Sequence, residues 1–541
     1  MEQIANFNWP LPTLVAFIIL IIILIILYLL RLRSEGRPPF PPRRFPREEY
    51  FIQDQVILTG PEGVLDDFFE NQAEGIQLRR LDRLAFREFG DRLQNCTGIP
   101  HSLDPGQGLV IDQYEITGRS KNVARALRRI NSRLGDNSSA VIKEPNWVIG
   151  QPYEVEGSPY EVEGSPYEVE GSTQAKASQA APPELLMSQW ALATIGYNGA
   201  AALLAEQSNG RKVRVGVFDT SPAHLSPGSP PAIQQVQLAR TGSPLPLQVI
   251  HPQPSVSQIP NIKPRANLRN HGYFIAGLIL ALAPDSDVTL VRVMEDDNRG
   301  DLFTLVKALF RFMLETVQID PQPAGVVLNL SLGVRVAPEE AKFGLPGEVL
   351  ALQYMVNAAR CLGAVVVAAS GNNSSRARVA VAANLPAAWA SVFGVAASNR
   401  FNRRACFSNQ GDIAAPGGDG HPAKPPAGDS RCRPRGAECT PENCDTDIVG
   451  PVLDPASPTG YIFWSGSSFA APMVSALAAL VQQAAGGGLS PSQVETIIAC
   501  HAARTDDPFL GAGIIQVPGA LEEGLRLRRE KTHLAEPEQA A

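Results

Sequence analysis

The sequence predicts an α/β fold, a parallel β-sheet flanked by helices, preceded by a small α+β domain and one transmembrane helix. Three observations predict it. From Glu184 onward, short apolar runs rich in Val and Ala alternate with helical stretches, the pattern of a parallel sheet with crossover helices. Between Tyr50 and Gly150 the order is instead β-α-β-β-α-β. Leu14 to Leu30 is one unbroken apolar run. The 541 residues allow two to four domains at roughly 100–200 residues each. Hydrophobic residues make up 44% and charged residues 19%, enough apolar material for a sizeable core. The net charge of −7 excludes a general nucleic-acid binder, which would be basic. Seven Cys are too few for a disulfide-built scaffold.

Residues 1–33 read as a retained membrane anchor. At 1.5 Å per residue the stretch from Leu11 to Leu30 spans roughly 30 Å, the thickness of a bilayer core. Trp9 and Tyr28 sit near its ends, where interfacial aromatics belong. A cleaved signal peptide would want a basic start and a small-residue cleavage site, whereas this chain starts Met-Glu-Gln and no such site follows. Arg31, Arg33, Arg37, Arg43, Arg44 and Arg47 follow the run, and no Lys or Arg precedes it. That bias favours the large C-terminal part on the cytoplasmic side of a single-pass protein, with an extracytoplasmic placement as the alternative. Five prolines make residues 34–49 an extended spacer.

Residues 50–150 carry the small domain. Strands are expected at Tyr50–Leu58, Ile76–Phe86, Leu109–Ile116 and Ala140–Val148, and helices at Val64–Gln72 and Lys121–Leu134. The arginines of Ile76–Phe86 weaken that strand assignment. The order is that of a ferredoxin-like split-βαβ sandwich. Residues 151–183 hold three copies of Pro-Tyr-Glu-Val-Glu-Gly-Ser. Pro and Gly in each copy forbid a heptad helix, so the segment reads as an acidic tether, or a docking site for a partner.

In residues 184–525 the strand candidates are Val213–Phe218, Val288–Val293, Val326–Leu330, Val365–Ala369 and Val392–Ala396, with helices such as Leu302–Val317 and Glu348–Cys361. Ligands of such sheets gather beyond the carboxyl ends of the strands, where Asp219, Ser331 and Asn372 fall. Three segments stand out: Val-Phe-Asp219-Thr-Ser, Asn270-His271-Gly-Tyr-Phe-Ile-Ala-Gly277 and Gly466-Ser-Ser468-Phe-Ala-Ala-Pro472. Each alone is weak, since an Asp after a strand or a Ser before a helix is often only a cap. Together, in the order Asp, His, Ser, they form a nucleophile, a base and an orienting acid.

That order and those contexts resemble the subtilisin-like serine proteases, over about Glu184 to Leu525. The resemblance implies a subtilisin-like parallel sheet with Asp219, His271 and Ser468 as the catalytic triad. Ala369-Ser370-Gly371-Asn372 is similar to the segment that supplies the oxyanion-hole asparagine, here Asn372. Leu328-Asn-Leu-Ser331-Leu332-Gly333 is similar to the strand that binds substrate backbone. Ser331, Leu332, Gly333, Ala369, Ser370 and Gly371 are therefore expected at the substrate, a protein or peptide. The sequence departs from the family at Ser221, at Tyr273 and Phe274, and at Ser467; none of these removes a catalytic group. No cofactor is required by this chemistry; the family often binds structural calcium, for which no ligands are assigned. No nucleic acid is expected as a partner.

The resemblance also implies that residues 50–150 are a propeptide, an intramolecular inhibitor whose last strand lies in the substrate cleft. Lys143-Glu-Pro-Asn-Trp147 is similar to the end of such a domain. Self-cleavage between about Val148 and Glu184 would then activate the enzyme and release it from the membrane. Within the Pro/Gly-rich insertion from Gly417 to Gly460, Cys432, Cys439 and Cys444 are expected as free thiols, a local disulfide or a metal site. Cys96, Cys361, Cys406 and Cys500 are expected as ordinary packed residues, and residues 526–541 as a disordered tail. Two other readings compete with this one. An α/β-hydrolase would need G-x-S-x-G and the triad order Ser, Asp, His, and neither occurs. A catalytically silent scaffold or receptor at the membrane is the alternative function.

Overall fold

The structure, a computed structural model, describes residues 51–535 apart from 71–76, 94–95, 97–107, 118–121, 151–183, 208–211, 223–231, 237–244, 251–267, 297–298, 321–323, 335–348, 377–380, 406, 419–446, 454–456 and 458. The predicted anchor, spacer and repeat linker lie outside the described residues, as do Cys406, Cys432, Cys439 and Cys444. Among the described residues no helix is long and apolar enough to cross a membrane.

Eight strands make the large sheet: β5 (Arg214–Asp219), β6 (Ala232–Val236), β7 (Leu245–Ile250), β8 (Asp287–Arg292), β10 (Val326–Leu330), β12 (Ala364–Ala369), β13 (Phe393–Ser398) and β14 (Ile413–Pro416). Their order is β14-β13-β12-β10-β5-β8-β7-β6. All neighbours are parallel except the edge pair β6–β7. The apolar runs are continuous because both faces are covered. In β12, Val365, Val367 and Ala369 enter one core, while Ala364, Val366 and Ala368 enter the other. Helices α3 (His271–Leu282) and α6 (Ser467–Ala484) lie in the first core, and every residue of both is buried. Helices α4 (Leu302–Ile319) and α5 (Leu350–Cys361) cover the second face.

The small domain has the predicted order: β1 (Phe51–Pro61), α1 (Glu62–Glu70), β2 (Leu78–Ala85), β3 (Leu109–Ile116), α2 (Val123–Leu134) and β4 (Ile142–Gly150). Its antiparallel sheet runs β4-β1-β3-β2. The arginines that weakened β2 are accounted for by its edge position and its neighbour. Arg79 faces Glu115 and Arg83 faces Asp112 across the β2–β3 ladder. Arg83 reaches both Asp112 oxygens at 2.7 Å, a bidentate cross-strand pair.

The sheet does not stop at the domain boundary. β4 pairs antiparallel with β11 (Gly333–Val334) on one side and with β9 (Arg299–Asp301) on the other. The core is shared too: Phe86 and Phe89 of the small domain meet Phe310 of α4 at 5.7 and 4.9 Å between ring centroids. Two residues of β4 cap helices of the large domain. Asn146 accepts from the Phe303 N–H at the start of α4. The buried Glu144 carboxylate accepts from the Leu350 and Ala351 N–H groups at the start of α5, at 3.2 and 2.7 Å. A carboxylate there satisfies orphan donors and opposes the helix dipole.

Two expectations are corrected. Cys96 and Cys361 are not separate packed residues; they form a disulfide with Cα atoms 5.7 Å apart across 265 residues of sequence. Cys500 is free but exposed, not packed as expected. The predicted disordered tail is helical as far as Ala535, in α8 (Val517–Ala535), following α7 (Pro491–Cys500). The apolar residues Ala520, Leu521 and Leu525 anchor α8 in the first core, and the charged run beyond them forms i,i+3 and i,i+4 pairs from Arg526 to Glu523 and Glu530. Charge alone read as disorder because the apolar stripe that docks the helix lies mostly before it.

Candidate active site

Asp219 ends β5, His271 opens α3, and Ser468 stands in the first turn of α6. His271 Nδ1 and Asp219 Oδ1 are 2.8 Å apart and both residues are fully buried. The same Asp219 oxygen accepts from the Thr220 N–H at 2.7 Å. Gly272 makes this approach feasible, since a Cβ there would stand 2.3 Å from the Thr220 carbonyl and 2.7 Å from Asp219 Cβ. Thr220 in turn donates through Oγ1 to the Leu268 carbonyl, tying β5 to the turn before α3.

An apolar wall stands beside the imidazole, and one departure from the family pattern, Phe274, packs behind it. His271 meets the Trp464 and Phe469 rings edge-on at 5.4 and 5.3 Å. Phe274 packs on both of them and fits because Gly450 has no Cβ, which would come within 2.6 Å of its ring. Tyr273 is buried, which pushes its phenol up to about 12, so it stays neutral.

Around Ser468 the backbone and a polar network set the geometry. Pro472 has no N–H to give the Ser468 carbonyl four residues earlier. That carbonyl accepts instead from Ser331 Oγ at 2.9 Å. Asn329 donates to Ser331 Oγ, and Ser475 donates to Asn329, each at 2.9 Å. Ser468 Oγ donates to the Ser331 carbonyl at 3.4 Å, while the buried His271 Nε2 has no hydrogen-bond partner. Ser468 Oγ and His271 Nε2 are therefore not hydrogen-bonded to each other.

Asn372 follows β12, and its Oδ1 accepts from the Ser467 N–H at 3.0 Å. Accepting through Oδ1 makes Nδ2 the donor end of the amide. Ser467 Oγ accepts from the Gly371 N–H at 3.1 Å. Gly371 has φ +109, and a Cβ there would stand 2.3 Å from Asn384 and 2.6 Å from Asn409. Asn409 braces this loop, donating to the Ser370 carbonyl and accepting from the Asn373 N–H. Ala369 and Ser370 are buried beside it. Leu332 is buried in the second core, and Gly333 pairs with Gly150 of β4.

Every predicted site residue thus lies on β5, α3, β12 or its loop, the β10–β11 segment, or the start of α6. Sequence reasoning missed Asn329, Ser475 and Asn409 as supports. Asn329 carried a signal, a polar residue inside a buried apolar strand. Ser475 carried none in sequence, because its partner is 146 residues away. Among the described residues no group of three or more His, Cys, Asp or Glu could hold a metal ion.

Residues 210–515 match the subtilase family (peptidase S8). The chain is 28% identical over 228 residues to the thermophilic serine proteinase of Bacillus sp. (strain AK1), covering 40% of this chain and 43% of the relative. It is 28% identical over 276 residues to an extracellular protease of Xanthomonas campestris, covering 48% and 41%. It is 32% identical over 159 residues to subtilisin BL of Lederbergia lenta, covering 27% and 50%. The chain spans about half the length, or less, of these relatives. A family match across more than half of the sequence, over the segment that brings Asp219, His271 and Ser468 to one end of the sheet, means that the chain belongs to the subtilase family.

Proposed function

We propose that the chain is a serine endopeptidase that cleaves protein or peptide substrates through Asp219, His271 and Ser468. The buried His271–Asp219 pair at 2.8 Å, with Ser468 at the start of α6, carries this reading. Ser468 Oγ turns from the Ser331 carbonyl onto His271 Nε2, the ring atom without a partner. His271 takes the Oγ proton as Ser468 attacks the peptide carbonyl, and later gives it to the leaving amine. Asp219 holds Nδ1–H and stabilises the imidazolium. The Asn372 side chain and the Ser468 N–H are the oxyanion donors. Water then hydrolyses the acyl-enzyme.

Residues 50–150 act as the intramolecular inhibitor. The support is β4, whose Ile149 and Gly150 are paired on both edges like a bound peptide, against Arg299–Gly300 and Gly333–Val334. Ser331–Gly333 then bind substrate backbone on one side, and Ala369–Gly371 border the pocket beneath the scissile bond. Cleavage between Val148 and Glu184 frees β4 and opens the cleft, while Leu14–Leu30 anchors the N-terminal part in a membrane. The arginine bias favours a cytoplasmic peptidase domain. The Cys96–Cys361 bridge favours the extracytoplasmic alternative, because disulfides persist in oxidising compartments.

The test is labelling with a fluorophosphonate after the small domain is removed. Label on the wild type that is lost in Ser468→Ala supports the protease. An unlabelled wild type supports the silent scaffold instead.

A further inference from the structure

We propose that the Cys96–Cys361 bridge keeps the inhibitor domain covalently on the peptidase domain after the 151–183 linker is cut, so that release requires a dithiol reductant. The covalent retention is independent of activity; the control of activity rests on the protease reading above.

The two cysteines lie on opposite sides of the linker in sequence, so a cut within 151–183 leaves two chains still joined through sulfur. The bridge is also placed where it matters mechanically. Glu144 holds the N-terminus of α5, and Cys361 is the last residue of that helix. At 1.5 Å per residue these two attachments are about 16 Å apart. The small domain thus grips one helix of the peptidase domain at both ends, by a carboxylate cap and by a disulfide. Cutting after Gly150 frees the chain end of β4 but leaves the far attachment intact. Cys361 is exposed, so a solvent thiolate can reach it.

The chemistry balances with a dithiol. One thiolate attacks the bridge and forms a mixed disulfide, and the second closes the reductant into its own disulfide. Cys96 and Cys361 leave as two thiols, having taken two electrons and two protons. Before reduction the tether holds the inhibitor at an effective concentration near the millimolar range, so dilution does not remove it. After reduction the two parts bind as separate molecules and dilution does.

The first arm uses the full Ser468→Ala chain, with tags at both ends and a recognition site for a sequence-specific protease placed in the linker. After cutting, thiol alkylation and denaturation, the two fragments migrate together without reductant and separate with dithiothreitol. Cys361→Ser and Cys96→Ser chains separate in both conditions. Fragments that separate without reductant in the chain with both cysteines overturn the proposal. This arm reads the bridge whether or not the chain is a protease.

The second arm cuts the chain that retains Ser468 and follows peptide hydrolysis at about 1 μM and about 1 nM. On dilution, the specific activity of Cys361→Ser rises by about 10-fold or more, while that of the bridged chain rises only after dithiothreitol is added. Equal activation of both on dilution overturns the control of activity by the bridge. Absence of hydrolysis in both, with co-migration intact in the first arm, overturns the protease reading and leaves the covalent retention standing.

Discussion

The two sheets of this protein solve the same burial problem in different ways. The large sheet is buried on both faces by helices of its own domain, and its strand ends carry the candidate site. The small sheet borrows. Its last strand is paired on both edges by β9 and β11 of the other domain, and its aromatic core continues into Phe310 of α4. The difference teaches which region is a self-sufficient scaffold and which is shaped for docking. The scaffold brings distant polar residues to one point, and the docked domain lays its last strand between β9 and β11.

The largest expected effect falls on the site itself. Ser468→Ala or His271→Ala lowers kcat by about a million-fold while the urea unfolding midpoint stays near that of the parent; a residual rate within tenfold of wild type would remove these residues from the chemistry. Next, Asn372→Ala lowers kcat by about 100- to 1,000-fold with KM little changed, as steady-state kinetics on a short peptide would report. The third asks whether the two regions unfold separately. Phe89→Ala empties a buried aromatic site and costs about 3–5 kcal/mol. In the full Ser468→Ala chain, the small-domain transition shifts and the peptidase transition stays. If both shift together, the comparison of scaffold and docked domain breaks.

Smaller effects sharpen it. Glu144→Gln weakens the cap on α5 by about 1.5–3 kcal/mol, visible as faster amide exchange at Leu350 and Ala351 and unchanged exchange in α3. The smallest is the pH response of the small domain. Arg83, with Arg80 beside it, holds the Asp66 carboxyl below its usual value of 3.8. A carboxylate with a lowered value stabilises the fold above pH 3.8 and loses that contribution as the pH falls through its folded value. Asp66 is partly exposed, so screening limits the contribution to at most about 0.5 kcal/mol. Asp66→Asn should flatten the acid limb of the small-domain transition by that amount; an unchanged limb would show that the pair contributes nothing.

Much of this was legible in sequence. β10 and β12 were read within a residue, because a strand buried on both faces must be apolar at every position except one such as Asn329. The β-α-β-β-α-β order was legible from its periodicity, and the Asp, His and Ser segments from residue type and context. The chain itself determined these things because local pattern sets local structure, and a strand end or helix start sets where a side chain stands. Tertiary structure alone decided the rest. It chose Cys96 and Cys361 as partners across 265 residues, gave Glu144 a helix end to cap, and turned Ser468 Oγ toward Ser331 rather than His271. It also decided that the charged run after Arg526 is helical. Each depends on the distance between groups far apart in sequence, and no local pattern encodes a distance across the fold.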